Sequence, residues 1–255
     1  MSRLARLALP LLLLGAGAAR AQTMLDQEQR LIELHSLLVA LPATEAPGAL
    51  APWQASLGLE LITIPTIDGT TGGKTQITAS DRTSVFPRPR LALGLPLGPD
   101  LRAFVGLAYI PPLEVNQVST HLVGLEAGLA WVHQALAVGL RTQAVHATSQ
   151  SPVTEPDTRD TLTTKVLGAD LAAGYAVAAG PVQLTPFASA GLVWLDGRFR
   201  VTSDGAVLTT QAADAALAVG LRASGWHDLE AVAELIDYPG RLTHLTVKLA
   251  WTPRL

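Results

Sequence analysis

The sequence contains no cysteine, few charges and no apolar run that would cross a bilayer as a helix once its first residues are set aside. Without cysteine there is neither a disulfide framework nor a cysteine-ligated metal site. Charged residues make up 15% of the chain, well under the ~25% usual in soluble proteins, although hydrophobic residues reach 49%. The acids outnumber the bases, 21 to 18. No basic surface for nucleic acid follows from that balance. A helical membrane protein is excluded by run length, because a spanning helix needs ~20 consecutive apolar residues.

The first residues carry a separate signal. Arg3 and Arg6 form a positive start, Leu7 to Ala18 a short apolar run, and Ala19-Arg20-Ala21 an A-x-A cleavage site. Residues 1–21 therefore read as a secretory signal peptide, with cleavage before Gln22. The remaining chain has 15 basic and 21 acidic residues. Residues 22–52 read as one helix, over 24–40, and a linker rich in Pro, Ala and Gly. Thr23 or Asp26 can cap the helix, and Leu25, Leu31, Ile32, Leu34, Leu38 and Leu41 form its apolar stripe. That stripe demands burial. Two placements stay open: plugging or capping the periplasmic mouth of a barrel, or lying on a membrane surface or partner.

From Trp53 onward the period is two. Segments near 53–65, 85–97, 101–111, 118–132, 135–148, 162–178, 182–195, 207–223, 229–237 and 242–252 each alternate an apolar face with a face of Gly, Ala, Ser, Thr and isolated charges. Leu57, Leu59 and Leu61 oppose Gly58 and Glu60; Leu125, Ala127 and Leu129 oppose Glu126 and Gly128. Longer and shorter connections alternate between the segments, a pattern of barrels with short periplasmic turns and long external loops. The fold class expected is all-β: an antiparallel up-and-down transmembrane β-barrel of about ten strands, eight or twelve being the neighbouring even counts. An even count places both chain termini in the periplasm.

Aromatics fall near strand ends. Threading the strands puts Trp53, Trp131, Tyr175, Trp226 and Trp251 at the periplasmic level, and Tyr109, Trp194 and Tyr238 at the outer level. Two such girdles flank the apolar band of a membrane barrel. The small-residue face is expected inside, where it collects Glu60, Arg88, Arg90, Arg102, Glu126, Arg141, Asp170, Asp214, Arg222, Glu230, Glu234 and Lys248, with His244 beside them. Six acids and six bases can neutralise one another, either as a lumen-filling ladder or as the lining of a selective pore. A soluble periplasmic barrel holding an apolar ligand is the alternative fold; it requires the leucine-rich face to point inward.

These features together resemble small outer-membrane β-barrel proteins of Gram-negative bacteria, over about residues 53–255. The final strand, LTHLTVKLAW, is similar to the assembly signal of such proteins, although the chain ends Pro253-Arg254-Leu255 rather than in an aromatic residue. The resemblance implies outer-membrane location, contact with its lipid, and passage through the barrel-insertion machinery. It implies no catalytic residue.

Chemistry-bearing residues are sparse. Ser119 and His121 share a strand face near the outer rim, and Glu114 and Asn116 are the nearby candidates to orient the histidine of a hydrolase. His227-Asp228 falls in a periplasmic turn, away from any outward-opening site. Gly72-Gly73-Lys74-Thr75 lacks the spacing of a phosphate loop. No metal-ligand spacing involves His35 or His146. The expectation is therefore a non-enzyme without cofactor or metal: a narrow channel or passive transporter for small or hydrophobic solutes, or a closed structural or adhesive barrel, with a lipid-modifying hydrolase as the remote alternative.

Overall fold

The computed structural model describes residues 29–42, 45–63, 85–115, 118–152 and 157–254. The signal peptide, the predicted helix start and the glycine-rich loop after the first strand lie outside these residues.

Alternation of large apolar and small residues gives each strand one face for a closed interior and one for the outside. The strands are β1 (Ala55–Thr63), β2 (Val85–Pro96), β3 (Leu101–Val115), β4 (Val118–His133), β5 (Leu136–Ser151), β6 (Asp160–Tyr175), β7 (Val177–Ala179), β8 (Val182–Arg200), β9 (Val207–Trp226), β10 (Leu229–Tyr238) and β11 (Leu242–Trp251). Each pairs antiparallel with its neighbours, β1 pairs with β11, and β6 pairs with β8. β7 continues β6 beyond Ala176 and pairs with the base of β8. The result is a closed barrel of ten staves, which leaves no sheet edge unpaired.

The leucine-rich face points outward. Leu57, Leu125, Leu171, Leu217 and Leu249 are all about half exposed or more, while Glu60, Arg88 and Lys248 are 0% exposed. The alternative of a soluble barrel with an apolar-lined interior is thereby overturned. Short turns gather at one end; at His227-Asp228 both residues have positive φ (51° and 58°), as a type I′ hairpin turn requires. Long connections gather at the other end. Here some expected boundaries change: β3 runs on to Val115 and β8 to Arg200. Cross-strand pairing continues beyond the apolar segment that marked these strands in the sequence.

The lumen holds the chain's own N-terminal segment. Helix α1 (29–39) occupies the half nearest the long loops, and residues 40–42 and 45–52 lie in the half nearest the short turns. Of the placements left open by the sequence, the segment takes that of a plug inside the barrel. Ile32 reaches Gly197 and His35 reaches Ser149 and Thr164, deep beneath the long-loop rim. Gln29 and Arg30 lie beside Gly240 and Arg241 at that rim, while Arg254 bridges to Gln54 at the short-turn end. The described chain therefore enters the lumen at the long-loop end, at residue 29, and reaches the short-turn end at Arg254. The cause is an apolar patch on the inner wall: Leu122, Val145, Val166, Val193, Leu195 and Ile236 receive Leu34, Leu37 and Leu41. These inward residues follow the strand parity, but they sit in the upper half of the lumen, above the two charge arcs of the lower half.

Candidate functional site: the charged lumen and its plug

Register brings the lumen charges together. Glu60 on β1 lies opposite both Arg88 on β2 and Lys248 on β11, and Arg141 on β5 lies opposite Asp170 on β6. One arc runs from Arg88 to Glu60 (2.8 Å), Arg90 (3.3 Å), Glu126, Arg141 (3.3 Å) and Asp170 (2.7 Å). A second runs from Arg222 to Glu230 (2.7 Å), Lys248 (2.8 Å) and Glu45 of the plug. Buried ions of this kind persist only with their partners in place, since desolvation otherwise costs several kcal/mol per charge.

Each of the six expected lumen cations also holds the plug. Arg88 donates to the Val39 and Ala40 carbonyls (3.0 and 3.1 Å), and Arg141 to Leu41 and Pro42 (3.0 and 2.8 Å). Arg90 donates to Pro42 (3.3 Å), Arg102 to Gly48 (2.7 Å) and Arg222 to Ala49 (3.4 Å). Lys248 binds the Glu45 carboxylate. The carbonyls just past α1 lack intrahelical donors, and the helix dipole concentrates negative charge there. The arginines satisfy both demands. Gln143 accepts a hydrogen bond from the Leu41 amide. Two glycines let the plug approach the wall: a Cβ on Gly94 would stand 2.1 Å from the Ala51 oxygen, and one on Gly197 would stand 2.1 Å from Ile32. The remaining cavities among these residues are about 20 Å³ each, roughly the room of one water molecule.

Some expected members stand apart. Asp214 faces the lumen near the long-loop rim, where it pairs with Arg241, which also binds Glu33 of α1 (2.6 Å). Arg102 is bound to a plug carbonyl, with no carboxylate pair among the described residues. His244 is buried but takes no hydrogen bond among the described residues; it stacks on Tyr238 at 6.0 Å. Neither oxygen of Glu234 has a hydrogen-bond partner among the described residues. Tyr238 corrects the girdle. It is 2% exposed and points inward, because it shares its parity with Glu234 rather than with Leu235. Trp53, Tyr109, Trp131, Tyr175, Trp194 and Trp251 do point outward; the Trp226 side chain lies outside the described residues.

Sequence reasoning missed Glu45 and His35. Glu45 sits in a stretch read as linker, and since the expected lumen charges already balance, no signal in the sequence singled it out. Burial raises its carboxyl, against the pull of Lys248. His35 accepts or donates at Ser149 (2.9 Å), and burial lowers its pKa to about 4, which keeps it neutral near pH 7.

The hydrolase candidates do not assemble. Ser119 and His121 follow the same strand face, but His121 packs edge-on against Tyr109 at 5.8 Å. Glu114, which faces Ser119 across the hairpin, is engaged by both terminal nitrogens of Arg159 (3.1 and 2.6 Å). Asn116 lies outside the described residues.

No protein-family model and no curated protein matches the sequence. Solved structures that it resembles are outer-membrane β-barrels. The translocator domain of autotransporter NalP from Neisseria meningitidis is 9% identical over 94% of this chain and 98% of that one, with a TM-score of 0.47. LpxR from Salmonella typhimurium is 10% identical over 77% and 99%, with a TM-score of 0.37. The N-terminal β-barrel domain of Pseudomonas aeruginosa OprF is 13% identical over 79% and 98%, with a TM-score of 0.33. The likeness is one of fold.

Proposed function

We propose that the protein is an outer-membrane β-barrel whose own N-terminal segment keeps it closed, so that it serves as a sealed membrane scaffold and not as a freely conducting pore. The observation that carries this reading is that all six expected lumen cations bind residues 39–49. Their charges are spent on the plug and its counter-ions, not on a solute path. Membrane placement rests on the outward leucine belt and on the closed backbone pairing that hydrocarbon demands. Export by the predicted signal peptide and assembly by the insertion machinery belong to the same proposal, as does the absence of catalysis.

A second reading has one supporting observation: beyond α1 the plug is held by hydrogen bonds from wall cations to its backbone carbonyls, which water can replace. In that reading the barrel conducts small polar solutes once the plug leaves. Planar-bilayer conductance separates the two. Ser36 and Thr164 approach to 3.5 Å between hydroxyl oxygens, and the chain has no native cysteine. An S36C/T164C variant therefore offers one selective crosslink between α1 and the wall. A sealed scaffold carries no steady current before or after reduction. Steady opening on reduction establishes the gated channel, and a steady current with the crosslink intact overturns the closed barrel.

A further inference from the structure

We propose that the outer face of β6, β8 and β9 above Trp194 binds the phosphate headgroup of a membrane lipid. The inference rests on the membrane placement proposed above. Outward-facing strand residues are apolar or small over most of the wall, but three bases depart from that pattern on two paired strands. Lys165 on β6 and Arg198 and Arg200 on β8 are all exposed. Lys165 lies across from His146 and Asp196; Arg198 lies across from Thr163 and Thr209; Arg200 lies across from Thr161 and Val207. Asp196 is the one acid among these cross-strand neighbours, so the patch is net positive. No hydrogen bond or ion pair engages Arg198 or Arg200 among the described residues.

Height favours a headgroup over the acyl chains. Trp194 faces outward on β8 and is 47% exposed, where an indole marks the membrane interface. Arg198 stands four residues farther along the same strand face, about 13 Å along the strand and about 10 Å higher once strand tilt is counted. Lys165, paired with Asp196, lies between these levels. A long basic side chain there can lay its stem on the belt and its charge among headgroups. Guanidinium matches phosphate with paired, charge-assisted hydrogen bonds, and Thr161, Thr163 and Thr209 set hydroxyl donors around it. The anionic partner needs no route into the lumen.

The test uses the full-length protein in detergent micelles with lipid A as the probe, compared with the same lipid stripped of its phosphates. Retention through gel filtration is read by mass spectrometry. Wild-type protein retains lipid A and not the dephosphorylated form. A K165Q/R198Q/R200Q variant, which stays heat-modifiable because these side chains make no contact with the plug, loses retention by about tenfold or more, the effect of losing even one charge-assisted bond. Equal retention by variant and wild type overturns the proposal, as does equal retention of the dephosphorylated lipid. Displacement of the lipid by millimolar inorganic phosphate also overturns it, by showing a site for a soluble anion. Failure of the wild type to float with vesicles is a separate result; it removes the membrane reading and the lipid site with it.

Discussion

At the scale of single residues, the lumen makes opposite predictions for two side chains of similar burial. Arg141 bridges Asp170 and Glu126 and holds the Leu41 and Pro42 carbonyls. An R141M variant leaves those acceptors buried and uncompensated, and it should destabilise the barrel by about 3–5 kcal/mol, read as a lower urea midpoint in micelles. Glu234 has no hydrogen-bond partner among the described residues, so replacing it removes a desolvated group that nothing satisfies. E234L should leave the midpoint unchanged or raise it. The charged residues themselves were legible in the sequence, because parity alone assigns Glu60, Arg88, Glu126 and Lys248 to one face. Their partners were not. Parity says which way a side chain points, whereas the match of Lys248 with Glu45 depends on how a segment without period two threads the barrel. Tyr238 shows the converse: its inward parity was legible, but its place at a strand end outweighed that signal.

At the scale of elements, the strands were the most legible part and the plug the least. A strand writes its faces into alternate residues, so the staves could be bounded closely wherever Leu and Val alternate with Gly and Ala. The ends of β3 and β8 escaped because pairing resumes past an irregularity at Pro111 and Pro112 in β3 and continues through Asp196 in β8, outside the apolar pattern. Helix α1 was legible as a helix, but its stripe says only that burial is needed. The receiving patch is spread over Val145, Val166, Val193 and Ile236, on four separate strands, and no local window contains it. The docked helix should respond to acid through His35. Its two listening partners are hydroxyls, Ser149 and Thr164, and burial lowers its pKa from 6.5 to about 4. A released helix takes up a proton near the higher value, a docked one only near the lower. Docking is therefore complete above the interval and weakens as pH falls through it. In bilayers, the closed barrel should show brief openings that grow more frequent as pH drops through that interval, and H35Q should remove that acid dependence. A G197V variant, whose added carbons meet Ile32, should raise the frequency of openings at neutral pH as well, since overpacking at such a contact costs about 1–3 kcal/mol.

At the scale of the whole molecule, the decisive question is which medium touches the outer wall, and one substitution addresses it. Leu171 is 62% exposed and sits on β6 between Tyr175 toward the short turns and Lys165 toward the long loops. Those two side chains bracket the belt, which places Leu171 near its middle. If water met this face, arginine there would be nearly neutral, as at most exposed positions of a soluble protein. If hydrocarbon meets it, L171R should cost about 2–4 kcal/mol, whereas the same charge near the belt edge costs about 0–1 kcal/mol. T163R, two positions beyond Lys165 toward the long loops, supplies that edge comparison, because Thr163 lies across from Arg198 on the headgroup side. Reversible unfolding in lipid vesicles, followed by the shift in gel mobility on boiling, should separate the two variants by the difference between these costs. Equal midpoints would mean that the leucine wall is not solvated by acyl chains. The barrel would still close by register, but its leucine belt would have lost its reason for facing out.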